Sequence, residues 1–549
     1  VNNQAVATTL DQIAQQYKLA GDKWRAIAFE KASHSVRACR RPLADIDISS
    51  LKDVGHSIQV EIEEMLKTGS CSRIKALKVT GPPVSLIELE QLMEVGPKTA
   101  LRLWKEYGVD SISKLEKKSK VLAKKEPSIV EALKAYKKIK KRIPLFLAMP
   151  AVQEVCNILL SSGLVLRAEP AGSVRRNKHM VRDLDILTSV SDSKVGKFLR
   201  WIRSNKNLKV IAGGGKKVTF ETFVAGEPRR GDIIITKPKS WGNALNYLTG
   251  SKSFNIAIRS LALKKGLTVN EKATRYKDSE KSLPSFHEKD LFNALKVPFV
   301  PPECRIDGSE LGKSFEDLVT LKSICGDVHI HTVNSDGLLT IKNLERTAKS
   351  AGLAFIGISE HSPALGIANG IKAKDAKRLK SLLPKNFPIY FGSEVDVKVD
   401  GSLAYTTKEL EIFDYVILSL HLSPGKNTSE RVKAAVLAAA SRPTIIGHLT
   451  GRRNGREAAE EDWPQLFDFL AKKNVVLEIN SQPDRMDPPA ELIRMAKSKG
   501  IKFSINSDCH DKFIDLKWGI VQARKGLLTP KDCINSSHRS FERWLGNWK

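Results

Sequence analysis

From Cys325 onward, six short apolar runs recur between helical stretches: "FIGIS", "IYFGSEVDV", "YVILSLHL", "TIIGHL", "VVLEIN" and "KFSINSD". Runs of strand length, rich in β-branched residues and alternating with helical patterns, predict βα units around a parallel sheet. Units repeated in this way close into a barrel, and a barrel gathers its reactive groups at the ends of its strands. The polar residues of this region sit at those ends. "DVHIHTVNSDG" places His329 and His331 two apart in an extended run, so both imidazoles share a face, and Asp336 follows in the loop. Next come His361 in "SEHS", Glu394 in "GSEVDV", His421 in "SLHLS", His448 in "IGHLTG", and Asp508 and His510 in "NSDCH". One such histidine is more often a satisfied polar residue than a ligand. Recurrence through the whole region predicts a metal cluster, and imidazole mixed with carboxylate suits Mn²⁺, Zn²⁺ or Fe²⁺ better than Mg²⁺ alone.

The rest of the chain is too long to share that core. At 549 residues, several domains are expected. A formal net charge of +29 predicts a polyanionic partner, with nucleic acid well ahead of an anionic membrane. No run of about 18 apolar residues occurs, which predicts no membrane span. The opening "VNNQAVATTL" shows no secretion signal, and the seven scattered cysteines form no CxxC pair. Together these predict a cytoplasmic, nucleoid-associated protein without a disulfide framework or a thiolate zinc site.

Texture divides the chain into a multidomain α+β and α/β arrangement. Residues 1–80 space apolar residues at three and four in "LDQIAQQYKL", "KWRAIAFEKASHSVRA" and "SIQVEIEEML", the pattern of helices. Gly-Pro-Pro at 81–83 breaks it, and a second helical block runs over 81–143. Residues 144–236 mix short strands with helix, 237–322 are helix-led, and 323–549 carry the barrel pattern. Each helical block contains one hairpin of the same layout, "LKDVGHSI" and "LMEVGPKTA". A glycine in such a turn lets backbone approach a phosphate, and the next helix offers free N–H groups. Either copy alone is an ordinary helix–turn–helix connection. Two copies in a basic chain predict DNA-backbone binding at Val54, Gly55, Val95, Gly96 and Lys98, holding a duplex without reading its sequence.

"DLDIL" sets Asp183 and Asp185 one residue apart in an apolar run, so an extended backbone turns both carboxylates to one face. Like charges so close need neutralising. Asp232 opens the apolar strand of "RRGDIIIT", and three aspartates on adjacent strands can hold two Mg²⁺ or Mn²⁺ ions through oxygen. Two such metals activate an attacking hydroxyl and stabilise a leaving pyrophosphate.

"GSVRRNKHMVRDLDIL", "RRGDIII" and "NYLTGSKSFNIAIRSLALKKGLTVNE", in that order, closely resemble the family X DNA polymerases. The likeness spans about residues 1–320 and includes both hairpins. It implies a helical DNA-binding domain at 1–80, fingers at 81–143, a polymerase beta-like palm at 144–236 and a thumb at 237–322. It also implies that Asp183, Asp185 and Asp232 are catalytic metal ligands, and that Arg142, Ser173 and Arg176 contact the triphosphate of an incoming dNTP. Gly250 and Tyr247 would lie beside the sugar, Asn255 at the base edge and Arg259 at the template-side minor groove. The aromatic pair usual before "TGS" is here Tyr247-Leu248, which changes the packing beside the sugar. Where beta-type relatives carry a lyase lysine in the first hairpin helix, this chain has Glu61, which cannot form a Schiff base; nearby Lys67 reads as a solvated helix-end cation.

The second half resembles the PHP (polymerase and histidinol phosphatase) domain. That likeness implies a trinuclear site built from all nine ligand-type residues, activating water for phosphoester hydrolysis. Glu360, where relatives commonly have Asp, reads as a change beside a ligand that removes none. "GRRNGR" (451–456) and Arg485 could steer a phosphate, although the former also reads as an exposed basic loop.

The combined expectation is a monomeric DNA-directed DNA polymerase filling short gaps at 3′ ends of gapped or primer–template DNA, with a metal-dependent 3′–5′ exonuclease that extends to abasic sites or 3′-blocking groups. Two rivals stand beside it. One is a template-independent nucleotidyltransferase fused to a small-phosphoester phosphatase. The other is a DNA-binding scaffold with degenerate sites.

Overall fold

The computed structural model describes residues 3–548, apart from 20–21, 40, 52, 81–82, 84–85, 90–91, 93–94, 96, 140–141, 280, 365–367, 422–426, 441, 454–457 and 460. The chain forms two compact units, Val1–Lys141 and Arg142–Lys549.

The first unit is helical and has two separate apolar cores. One gathers Val6, Leu10, Ile13, Phe29, Ile62 and Met65; the other gathers Leu86, Leu103, Leu115 and Leu133. In the first, helix His56–Thr68 begins at Gly55 and ends on Gly69, whose φ of 70° lies in the left-handed region a side chain disfavours.

Besides the two-stranded pairing of Ile143–Pro144 with Met180–Val181, the second unit contains three larger sheets. Five strands run in the order Arg167–Pro170, Leu184–Ser189, Glu227–Thr236, Lys217–Val224 and Lys209–Gly214. Leu184–Ser189 and Glu227–Thr236 are parallel, whereas the other pairs are antiparallel. After them, helices Trp241–Thr249 and Lys252–Lys264 lead into a small three-stranded antiparallel sheet.

The third sheet has seven parallel strands in chain order: Gly326–Asp327, Phe355–His361, Ile389–Asp396, Tyr415–Ser419, Thr444–Ile446, Val476–Asn480 and Phe503–Asn506. The last six are the six apolar runs of the sequence. A parallel bridge between Ile330 and Cys509 and the Ser507 amide on Asp327 draw the last strand to the first, so the barrel is nearly closed. The first strand is shorter than its sequence suggests. The Ile330 N–H donates to the Ser359 hydroxyl instead of a main-chain carbonyl, so the ladder stops and His329 and His331 lie on an extended segment beyond it.

The barrel and the five-stranded sheet are not independent bodies. Met486 and Trp518, from the barrel side, are buried in the core formed by the five-stranded sheet and helix Leu145–Ser161. Leu527 packs likewise on the core around Phe254, Leu291 and Phe292. Burying an aromatic ring of roughly 150–250 Å² is worth several kcal/mol at about 25 cal/mol/Å². These contacts fix the two halves against each other.

Candidate functional site

Two clusters of ligand-type side chains lie in the second unit. The first is built on the parallel pair of the five-stranded sheet, whose register sets Asp185 directly opposite Asp232, with Asp183 one residue before the strand begins. Asp232 accepts from Thr219 Oγ1 at 2.8 Å and pairs with Lys217 Nζ at 2.7 Å. Asp183, half exposed, pairs with its neighbour Arg182 at 3.2 Å. Burial, then the charges of Asp183 and Asp232, push the Asp185 carboxyl up to about 6. A buried carboxyl raised by two neighbouring carboxylates fits a divalent cation, which would relieve the repulsion. Gly172 makes room for them: its φ is 55°, and a Cβ there would lie 2.3 Å from Asp185 Oδ2.

The turn Gly172–Arg176 brings the expected triphosphate contacts to the same edge. Arg176 donates to the Thr249 carbonyl, and a Cβ on Gly250 would stand 3.1 Å from its Nη1. Arg142 joins them because the short strand Ile143–Pro144 pairs with Met180–Val181 just past the turn. Ser173 is half-buried in the turn itself, its carbonyl accepting from the Lys178 amide at 3.0 Å. Tyr247, Asn255 and Arg259 line one small indentation on the following helices; Asn255 Nδ2 donates to the Tyr247 carbonyl at 2.7 Å and Arg259 Nε to the Asn255 carbonyl at 3.2 Å.

The barrel holds the second cluster, and all nine expected residues meet there. Potential ligand atoms converge in three overlapping groups: His331, Asp336, His361 and His510; His329, His331 and Glu394; His361, Glu394 and His421. Asp508 Oδ1 stands 3.4 Å from Nε2 of both His329 and His331, and His448 Nε2 is 2.9 Å from Glu394 Oε1. His448 and Asp508 both have positive φ, 24° and 52°, a strained backbone state that concentrates at functional sites. His329 Nε2, both ring nitrogens of His331, His361 Nδ1 and Glu394 Oε2 are buried without a hydrogen-bond partner. Each such orphan costs about 1–3 kcal/mol. Convergent imidazole and carboxylate orphans fit bound metal ions. Burial, followed by His361 and His510 against an opposing bond from Asp508, pushes His331 down to about 4 and keeps it in the neutral form that ligates metal.

Several residues that orient these groups carry no clear mark in the sequence. Glu478 Oε1 sits 2.6 Å from His329 Nδ1, and Asp396 Oδ1 sits 2.8 Å from His421 Nδ1. Asn480 donates to both Glu478 and Asp508. The available signal was a polar side chain two residues from another inside an apolar strand, as in "EVD" and "LEIN". Glu360 belongs to no ligand group. It accepts from the Thr332 amide at 3.2 Å and from the hydroxyls of Thr332 and Ser335, fixing the loop that carries Asp336.

The remaining expected residues lie elsewhere. Val54 and Gly55 form the first hairpin turn; Gly55 has a φ of −80° and open space around it, so neither strain nor packing within the turn requires a glycine there. Val95 is buried, whereas Gly96 and the side chain of Lys98 fall outside the described residues. Glu61 is buried in an ion pair with Arg73, which also donates to the Tyr17 hydroxyl at 2.9 Å, and Lys67 is exposed. Of "GRRNGR", residues 454–456 lie outside the described residues. Arg452 is buried and points its Nε to the Arg485 carbonyl at 3.0 Å, while Arg485 Nε is 3.9 Å from Asp508.

Comparison with known proteins accords with this geometry. Three family models match: a helix-hairpin-helix domain over residues 1–71, the DNA polymerase beta thumb over 244–306 and the PHP domain over 327–482. The DNA polymerase lambda of Rattus norvegicus is 26% identical over 325 residues, covering 55% of this chain and 56% of that protein. The DNA polymerase lambda of Arabidopsis thaliana is 24% identical over 340 residues, covering 55% and 62%. The DNA polymerase/3′-5′ exonuclease PolX of Bacillus subtilis (strain 168) is 31% identical over 570 residues, 98% of both chains. With its hairpin, thumb and PHP segments in that order and full-length identity at this level, the chain belongs to the family X DNA polymerases that carry a PHP domain.

Proposed function

We propose that this chain fills short gaps in DNA during repair by nucleotidyl transfer at Asp183, Asp185 and Asp232, and trims 3′ ends in its barrel. Both halves depend on divalent metal and act on DNA. The observation that carries the reading is the register of Asp185 against Asp232, beside the turn that bears Ser173 and Arg176. Metals bound there would supply charge neutralisation at the attacking and leaving oxygens. Asp183, Asp185 and Asp232 hold them; Arg176, Arg142 and Ser173 orient the triphosphate so that its pyrophosphate leaves in line. Gly250 and Tyr247 bound the sugar, with Asn255 and Arg259 facing the base pair. Mg²⁺ or Mn²⁺ suits the oxygen-only set.

In the barrel, the nine residues His329, His331, Asp336, His361, Glu394, His421, His448, Asp508 and His510 would hold Mn²⁺, Zn²⁺ or Fe²⁺, ions that would supply an activated water for phosphodiester cleavage. Glu478 and Asp396 hold His329 and His421 in one tautomer and direction, and Glu360 anchors the Asp336 loop. The backbone around Gly55 grips phosphates of the duplex. Domain limits at 80, 143, 236 and 322 are supported by the separate apolar cores of the two helical blocks and of the three sheets.

The test is a gapped, 3′-labelled duplex incubated with Mg²⁺ or Mn²⁺, with and without dNTPs. Metal-dependent extension with dNTPs and stepwise shortening without them is expected. Equal extension of an unpaired primer would overturn template-directed synthesis.

A further inference from the structure

A cavity of about 350 Å³ lies where the barrel meets the Gly172–Arg176 turn. Five cations line it: Arg142, Arg176 and Lys178 from one side, Arg452 and Lys525 from the barrel. Two further charges on the wall are already balanced from outside it, Arg305 by Glu288 at 2.6 Å and Glu303 by Arg524 at 2.7 Å. That leaves Glu491 as the one carboxylate among the described lining residues to set against five cations. Lys525 is anchored across the junction, its Nζ donating to the Asn177 carbonyl at 2.7 Å, and Arg452 is buried. Burial, then Arg452, pushes the Lys525 ammonium down to about 7, while burial, then Arg176 and Arg142, pulls Lys178 down. Cations that disfavour one another around one cavity stabilise an anion placed among them. The volume holds roughly ten waters at about 30 Å³ each, enough for a polyphosphate chain.

We propose that this cavity is a polyphosphate site shared between the two halves, in which Lys525 and Arg452 of the barrel bind the pyrophosphate end of the incoming nucleotide. The proposal rests on the nucleotidyl-transfer reading above, because Arg176 links the cavity to Asp185 through the same turn. It adds what that reading lacks: the barrel completes the nucleotide pocket of the polymerase. The packing of Met486 and Trp518 into the neighbouring core holds the two walls in register.

The test titrates inorganic pyrophosphate with Mg²⁺ into the full chain by calorimetry and, separately, measures KM for dNTP on a gapped duplex. Lys525→Met, which keeps the apolar stem, is expected to weaken pyrophosphate about tenfold and to raise KM by a similar factor, more than it lowers kcat. Lys525→Arg, which keeps the charge, is expected to restore both. Glu491→Gln changes an exposed side chain with little risk to folding, and removal of its charge is expected to tighten pyrophosphate about twofold to threefold. Unchanged pyrophosphate affinity in Lys525→Met and Glu491→Gln overturns the proposal. So does a loss confined to DNA affinity with KM for dNTP unmoved, which would assign the cavity to the DNA backbone. A wild-type chain that binds pyrophosphate through Lys525 yet never extends a primer would instead overturn the polymerase reading, since calorimetry requires no turnover.

Discussion

Replacing Glu288 by glutamine should unlock the polymerase half without touching a proposed ligand. Its two carboxylate oxygens take a bidentate pair from Arg175, at 3.0 and 2.8 Å, and a third bond from Arg305 at 2.6 Å. Arg305 is fully buried and Glu288 nearly so, so screening by water is weak. The same Arg175 donates to Thr249 Oγ1 at 2.8 Å, and Arg176 to the Thr249 carbonyl, so this knot ties the triphosphate turn to helix Trp241–Thr249. Glutamine leaves the fully buried Arg305 without its paired counter-charge and Arg175 with only Glu169, at 3.9 Å, a loss of about 3–5 kcal/mol for a broken buried pair. Burial alone would raise the Glu288 carboxyl, but Arg305 and Arg175 hold it below its ordinary 4.5. Its folded pKa is therefore the lower one, and its stabilisation is complete above 4.5 and fades as pH falls through the folded value. Urea unfolding at pH 7 should show the full cost, and the gap between wild type and variant should close in acid. Gap filling should fall at least about tenfold while 3′ trimming persists, because no barrel ligand touches the knot. A cost under about 1 kcal/mol at pH 7, or one undiminished in acid, would refute the reasoning.

Asp185→Asn should lower extension by about 10²–10³ or more and leave trimming intact, measured on one labelled gapped duplex; substantial synthesis would remove Asp185 from the metal set. His331→Ala should stop trimming with gap filling retained, because the two clusters share no ligand; retained trimming here with loss in Asp185→Asn would place the nuclease in the palm. Glu478→Gln should lower nuclease activity or Mn²⁺ affinity about 10–100-fold, read by metal titration, although Glu478 is proposed only to orient His329. An unchanged Mn²⁺ titration would show that the 2.6 Å contact does not position the ring.

What the sequence disclosed, and what it hid, follows from how tightly chemistry restricts residue type. Asp183, Asp185 and Asp232 could be picked out because charged residues interrupt apolar strands, and the parallel register then set two of them face to face. The barrel histidines could be singled out for the same reason: few other side chains serve as neutral metal ligands, so their recurrence at strand ends marked them as candidates. Strand lengths were less legible. His329 and His331 lie beyond the first strand because a serine hydroxyl, not a carbonyl, takes the Ile330 amide, and no local pattern distinguishes the two.

The residues that hold the ligands were nearly invisible, and the reason is physical. A carboxylate, an amide or a main-chain carbonyl can each orient an imidazole, so Glu478, Asp396 and Asn480 follow no fixed type or spacing. Arg452 shows the limit from the other side. "GRRNGR" reads equally as a phosphate-steering run and as an exposed basic loop, and packing sends Arg452 to the cavity it shares with Arg142 and Arg176, more than 270 residues earlier in the chain (452 − 176 = 276). Lys525, one cation among 90 Lys and Arg, had no mark at all. Its placement depends on Trp518 and Met486 burying themselves in the opposite core, which sets a barrel helix against the Gly172–Arg176 turn. The position of that lysine is a property of tertiary packing. Shaving the apolar anchor, as in Trp518→Ala, should therefore weaken pyrophosphate binding without altering any charge in the cavity, and affinity that survived the loss of the anchor would show that the cations find the phosphate unaided.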